Sequence, residues 1–248
     1  MYDIVIVSHY KDFNKLKFVI KYAQKNLEGF ESIYLITNKN DIDNFNDIKA
    51  KTNKNIEILY EKDVLDIDLN KIKNKRPNWI YQILLKLFQN VTKNENYLIL
   101  ESDGIINKKL DFFVDDKIKF YLGRNQNHEP YFNFNKMIGF KKRYDYSFIS
   151  EVMMYNKNYI KDMIEKTNCG DVNDFINKYI YMGVNDNCYP ADYELYGNFL
   201  YNYHPEKIIF ENFNYSLNGK GSTYTDSDIE NIILRNNNSD YISFHTWT

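Results

Sequence analysis

The chain has 248 residues and a mass of 29.9 kDa, and its 44% hydrophobic and 27% charged residues are those of a folded domain, which excludes disorder, collagen-like repeats and disulfide-stapled miniproteins. Its 32 Lys and Arg against 34 Asp and Glu leave a net charge of -2, so there is no general basic field to hold a nucleic-acid backbone. Two cysteines, Cys169 and Cys188, and four histidines fall short of a disulfide framework or a structural zinc site and fit a reducing, cytoplasmic compartment.

In chain order, Asp3-Ile4-Val5-Ile6-Val7 is a strand too short for a signal segment. Leu16, Val19, Ile20, Ala23 and Leu27 recur at helical spacing and predict an amphipathic helix. Strands follow at 32–37 and 56–60, separated by a polar stretch over 38–55 that reads as a surface loop. Pro77 suits a first helical turn, because its missing N–H needs no partner there; Trp79, Ile83, Leu87 and Val91 continue that helix on one face. A strand at 97–100 completes a βαβ rhythm that implies a largely parallel sheet covered by helices. Beyond it the pattern loosens, with strands at 118–122, 207–210 and 241–244 and helices at 157–166, 171–182, 191–203 and 226–235. The polar stretch 212–228 reads as a second loop. No run approaches the roughly 18 apolar residues of a membrane span. The expectation is a single α/β domain, residues 1–248, with a mainly parallel central sheet flanked by helices and an elaborated C-terminal half.

In such sheets ligands bind beyond the carboxyl ends of the strands. Asp41-Ile42-Asp43 and Asp66-Ile67-Asp68 cap no strand and read as solvated loop acids, whereas Glu101-Ser102-Asp103 follows Tyr97-Leu98-Ile99-Leu100 directly and runs into Gly104. Alternation sets residues 101 and 103 on one side and Ser102 on the other. Two adjacent acids repel. A hard divalent cation, Mg²⁺ or Mn²⁺, relieves that repulsion and fills its other positions with water and a nucleotide diphosphate; the alternative is a plain turn. His245, just beyond the last strand, is either surface filler or a further ligand. Asn78, Gln82 and Lys86 recur four apart on one helix face, either as an exposed stripe or as contacts to a base, ribose or phosphate. Asp192 opens the helix that begins after Pro190, where the macrodipole holds an acid ionised. It is either a cap or, with Glu194, a carboxylate aimed at a substrate hydroxyl.

Taken together, Asp3–Val7, Trp79–Leu87, Tyr97–Asp103, Ser147–Met154 and Asp192–Phe199 resemble, in order, a group of glycosyltransferase-like proteins, the DUF6492 type, and more broadly the nucleotide-diphospho-sugar transferases of GT-A fold. The Tyr193-Glu194-Leu195-Tyr196-Gly197 segment is the most specific of these. The resemblance implies a metal-dependent transferase that moves a sugar from a nucleotide-diphosphate donor, UDP-sugar first, to the hydroxyl of a glycan, lipid or protein acceptor. Residues 1–105 form its nucleotide-binding half and 106–248 its acceptor-side half. The family's metal motif is Asp-x-Asp; this chain has Glu101 in the first place, so Asp103 takes the main ligand role, with Glu101 and His245 beside it. Ser8, Tyr10, Asn38, Gln82, Lys86 and Ser102 are the expected nucleotide contacts, Tyr10 stacking on the base. Asp192 and Glu194 are the expected catalytic pair. Family histidines are missing where this chain has Ser150-Glu151-Val152. That departure motivates the alternative of a catalytically silent nucleotide-sugar-binding or assembly module. Arg124 and Tyr131–Phe134 either face the acceptor or, for the rings, pack in the core. A phosphotransferase lacks its Gly-rich phosphate loop here, and inverting and retaining chemistry are equally compatible with the sequence.

Overall fold

The structure, a computed structural model, describes residues 1–50, 55–123, 125–220 and 223–246; Arg124 lies outside them. A five-stranded sheet in the order β3-β2-β1-β4-β8 forms the centre: β1 (Tyr2–Val7), β2 (Phe30–Thr37), β3 (Asn55–Tyr60), β4 (Asn96–Leu100) and β8 (Val152–Asn156). Strands β1 to β4 run parallel, and β8 runs antiparallel to β4 with Leu100 opposite Val152. The expected sheet is therefore mixed, its one reversed strand at the edge. Every residue of β1 is buried, as a strand covered on both faces requires.

Helix α1 (Phe13–Asn26) buries Leu16, Val19, Ile20 and Ala23, the stripe anticipated from their spacing. Helix α4 (Pro77–Phe88) has Pro77 in its first turn. Between β2 and β3 the expected loop contains α2 (Ile42–Ala50), with Phe45 and Ile48 buried; their three-residue spacing is diluted by Asn and Asp. A short α3 (Glu61–Val64) precedes α4.

Two three-stranded sheets extend the C-terminal half among the described residues. One joins β6 (Phe113–Val114), β7 (Lys117–Leu122) and β9 (Ile208–Asn212). The other joins β5 (Gly104–Ile106), β10 (Tyr215–Lys220) and β11 (Tyr241–Thr246). Strand β10 corrects the second expected loop, and it pairs in parallel with β11 from Tyr215 opposite Tyr241 onward. The remaining helices are α5 (Glu129–Met137), α6 (Lys157–Lys166), α7 (Val172–Phe175), which continues as π-helical turns over Ile176–Tyr181, α8 (Asp192–Tyr203) and α9 (Asp226–Arg235). Among the described residues no helix is long and apolar enough to cross a membrane.

Helix α8 is buried along Asp192–Leu200, so it behaves as a core helix rather than an amphipathic cover. Gly197 makes that possible. A Cβ there would lie 2.3 Å from Phe148 Cγ and 2.7 Å from its Cβ, and the latter cannot swing aside without moving the backbone. Alanine in a helix interior normally gains about 1 kcal/mol over glycine, whereas forced overpacking costs roughly 1–3 kcal/mol. Gly197→Ala is therefore expected to lower the melting temperature in calorimetry; an unchanged or higher value would show that the Phe148 segment yields freely.

Candidate active site

Parallel pairing sends the carboxyl ends of β1, β2 and β4 to one edge of the sheet, where Ser8, Asn38 and Glu101 follow them. Because β8 is antiparallel, its beginning reaches that same edge, and Glu151 lies beside Glu101, whose N–H donates to the Glu151 carbonyl at 3.4 Å. The chain then turns through Ser102 and Asp103 into β5. Strand β11 pairs with β5, Ser243 opposite Gly104, and the Phe244 N–H donates to the Asp103 carbonyl at 2.8 Å. His245 is thereby delivered to the acid turn from the other end of the chain.

These residues open on a cleft of about 420 Å³ whose lining includes Gln82, Lys86, Glu101, Asp103, Glu151, Asp192 and His245, a size suited to a small-molecule ligand. Its floor is a charged cluster. Lys86, 7% exposed, donates to Glu101 Oε1 and sits 3.4 Å from Asp192 Oδ2. The Tyr193 hydroxyl donates to the same Glu101 oxygen at 2.7 Å. Burial alone would depress the lysine pKa, but the charges of Asp192 and Glu101 reverse that and raise it. Burial raises the Asp192 pKa, with Lys86 opposing and Glu101 adding to the shift. The helix ends agree with this arrangement, Lys86 lying in the last turn of α4 and Asp192 in the first of α8.

Asp103 faces a second lysine. Lys15, buried in the first turns of α1, is 2.7 Å from Asp12 Oδ1, 3.8 Å from Asp103 Oδ2 and 3.4 Å from the Phe244 carbonyl it donates to. Burial pushes the Asp103 pKa up to about 7; Lys15 and His245 oppose the shift, and Glu151 and Glu101 reinforce it. Across the cleft, Glu151 Oε1 and His245 Nε2 are 3.0 Å apart. Burial would raise the Glu151 pKa, but the hydrogen bond and charge of His245 bring it below the usual value.

Other expected site residues lie elsewhere. Ser102 is buried and donates to Asp12 at 3.2 Å, on the far side of the alternation from the cleft. Glu194 is fully buried, accepting from Ser147 Oγ at 2.6 Å, the Phe148 N–H at 2.9 Å and Asn198 Nδ2 at 2.8 Å; it holds the 147–148 segment and does not line the cleft. Ser8 is buried against the end of β2, its N–H donating to the Ile36 carbonyl. Asn38 accepts from the N–H groups of Asn40 and Asp41 and contacts His9 Nδ1 at 3.0 Å. Asp41, expected to be a solvated loop acid, accepts the Tyr10 N–H at 2.8 Å. The Tyr10 ring is 52% exposed and lies against Phe13. Tyr131 stacks on Trp79 at 6.2 Å and borders the cleft, while Phe134 is core.

Of a second lobe, sequence reasoning singled out only Asn78 and Gln82 as candidate contacts. A cavity of about 440 Å³ is lined by His9, Lys11, Lys75, Arg76 and the first turn of α4, and it shares Arg76, Trp79 and Gln82 with the acidic cleft. The Arg76 guanidinium lies 4.4 Å over the Trp79 ring. Pro77 was the available signal, since a helix start draws anions through its unpaired N–H groups.

Among the described residues no group of three or more His, Cys, Asp or Glu side chains stands arranged to hold a metal ion. Glu101, Asp103 and His245 share one cleft but not one coordination shell, each being engaged by Lys86, Lys15 or Glu151. Their donor chemistry fits a hard divalent cation all the same: carboxylate oxygens and an imidazole face one space, and burial, reinforced by Glu151 and Glu101, already holds back ionisation of Asp103.

A family model described as "Family of unknown function (DUF6492)" matches residues 13–203. No curated protein matches the chain. Among solved structures, an active-site mutant of LgtC, a galactosyltransferase, is similar with a TM-score of 0.55 at 12% identity over 99% of this chain and 88% of its own. The bifunctional glycosyltransferase WbbM is similar with a TM-score of 0.52 at 9% identity over 98% of this chain and 45% of its own. Mouse xyloside xylosyltransferase 1 is similar with a TM-score of 0.46 at 8% identity over 98% and 97%. At these identities the likeness is one of fold, the GT-A arrangement of a mixed, mainly parallel sheet between helices.

Lys86→Met leaves the buried Asp192 without its cation and takes the lysine hydrogen bond from the half-buried Glu101. Breaking such a buried pair costs about 3 kcal/mol. Acids whose folded pKa is raised destabilise the fold as pH climbs past their unfolded values, so the variant's deficit in denaturant melts should be larger at pH 8 than at pH 5. A deficit independent of pH would contradict the charge account.

Proposed function

The chain belongs to the DUF6492 family, and we propose that it is a metal-dependent glycosyltransferase that moves a sugar from a nucleotide-diphosphate donor, a UDP-sugar first, to an acceptor hydroxyl. The observation that carries this reading is the acid turn Glu101-Ser102-Asp103, which leaves the sheet into a cleft shared with Lys86, Asp192 and His245 on the fold of GT-A glycosyltransferases.

Asp103, with His245 and Glu101 beside it, would hold Mn²⁺ or Mg²⁺, whose charge stabilises a departing diphosphate. The chain's own residues do the rest. Arg76 and the basic lobe with His9, Lys11 and Lys75 suit the phosphates, and Arg76 brings a guanidinium already stacked and oriented on Trp79. Gln82 borders both lobes and suits a ribose or phosphate contact. The half-exposed Tyr10 ring can stack on the base, with Ser8 and Asn38 shaping the sheet edge behind it. Lys86 fixes the separation of Glu101 from Asp192. Asp192 accepts the hydrogen bond or the proton of the acceptor hydroxyl, and burial moves its pKa upward, toward the range useful to a general base.

One observation favours the reading as a silent binding module: each candidate ligand is already engaged, and no three among the described residues form a ready metal site. Calorimetric titration of UDP-sugars with and without Mn²⁺, followed by donor hydrolysis, separates the two. The enzyme reading expects Mn²⁺-dependent binding and hydrolysis; binding without turnover on any acceptor supports the module.

Two variants sharpen the test. Asp103→Ala is expected to abolish turnover at saturating donor and to remove the Mn²⁺ dependence of donor binding. Asp192→Asn should lower kcat by about 10²–10⁴-fold while the donor Kd stays within a few-fold. An Asp192→Asn enzyme with wild-type kcat would remove that residue from the chemistry.

A further inference from the structure

Resting on the reading of the cleft as a metal site, we infer that Glu151 is its positioning residue: the Glu151 carboxylate sets the tautomer and aim of His245, while its main-chain carbonyl holds the turn that carries Glu101 and Asp103. Both ends of the proposed ligand set, 144 residues apart in sequence between 101 and 245, therefore meet on one residue.

The backbone supplies the first observation. Glu151 has φ of 62°, in the left-handed region that a residue with a side chain rarely adopts and that persists only where surrounding contacts over-determine it. Those contacts are specific. The Glu151 carbonyl accepts the Glu101 N–H at 3.4 Å and the Tyr241 hydroxyl at 3.1 Å. That hydroxyl in turn occupies the place where a Cβ on residue 104 would stand, 1.5 Å away, so glycine at 104 is what lets Tyr241 reach Glu151 across the acid turn. The strained residue, the glycine and the tyrosine form one latch behind Glu101 and Asp103.

The side chain supplies the second. Glu151 is 6% exposed, a burial that an ionised carboxylate does not tolerate without partners. Its Oε1 meets His245 Nε2 at 3.0 Å. An ionised carboxylate only accepts, so the proton in that hydrogen bond belongs to Nε2, and in the neutral ring the lone pair lies on Nδ1, the nitrogen able to ligate a cation. A carboxylate that fixes a histidine in this manner orients the ligand and raises its basicity, and removing it costs metal affinity without touching the metal.

The test uses the full chain with Mn²⁺ alone as the probe. Glu151→Gly removes the carboxylate and relieves the left-handed backbone, so the melting temperature should hold or rise while Mn²⁺ affinity, read by electron paramagnetic resonance, falls about 10- to 100-fold. Glu151→Asn, at ease in the same backbone region but too short to reach His245, should repeat the loss if the glycine loosens the turn. Glu151→Gln, whose amide oxygen can still accept from Nε2, should stay within a few-fold of wild type. In the metal-free protein, long-range ¹H–¹⁵N spectra should show the His245 ring protonated at Nε2 in wild type and mixed between tautomers in Glu151→Gly. A Glu151→Gly protein that binds Mn²⁺ as tightly as wild type, or a His245 tautomer indifferent to the substitution, overturns the assignment. If Asp103→Ala binds Mn²⁺ unchanged while the tautomer still follows residue 151, the metal reading falls, and with it the part assigned to Glu151 in binding, but its hold on His245 survives.

Discussion

Four carboxylates, those of Glu101, Asp103, Glu151 and Asp192, line one cleft, and holding them there partly or wholly out of water is the constraint to which the surrounding structure answers. Carboxylates taken out of water lose solvation and oppose one another when ionised. The chain meets this with partners brought from different elements, two of them lysines. Lys86 comes from the last turn of α4 to Glu101 and Asp192, Lys15 comes from α1 to Asp103, and His245 comes from β11 to Glu151. At Asp103 burial outweighs Lys15 and His245, and the pKa stays high at about 7.

Topology explains why so many acids converge. Parallel strands end at a common edge, which is where α/β folds bind ligands, and the reversal of β8 adds the start of a strand to that edge. The small sheet of β5, β10 and β11 then folds the last residues back over the acid turn. The result is a cleft with two electrostatic halves, acidic under β4 and basic at the start of α4, joined at Arg76, Trp79 and Gln82. Under the proposed function, the diphosphate and polyhydroxyl ends of the donor would take one half each. GT-A enzymes share this sheet arrangement, and the polar residues on the strand ends decide what is done with it.

The four parallel strands of the central sheet were legible because they are unbroken apolar runs and the principal helices keep clean spacing, as Leu16, Val19, Ile20 and Ala23 do, whereas the reversed β8 was not among the expected strands. Helix α2 was not legible, since Phe45 and Ile48 signal alone among Asn and Asp. At the site, Glu101, Asp103, Asp192 and His245 were legible from strand and helix ends and Gln82 and Lys86 from their four-residue spacing, and all of them reach the cleft. Ser102 and Glu194 had the right chemistry and neighbourhood, but side-chain direction turned both inward to structural partners. Lys15 and Glu151 carried no local signal: a lysine buried at long range and a glutamate in left-handed backbone are decided by tertiary contacts. Arg76 gave only the indirect cue of the proline that follows it.

The most direct measurement is anomalous diffraction at the manganese edge from crystals soaked with Mn²⁺ and UDP. The account predicts one strong peak in contact with Asp103 and His245, with the nucleotide reaching from it toward Arg76. A cleft that remains without manganese while UDP is bound elsewhere, or nowhere, would contradict it.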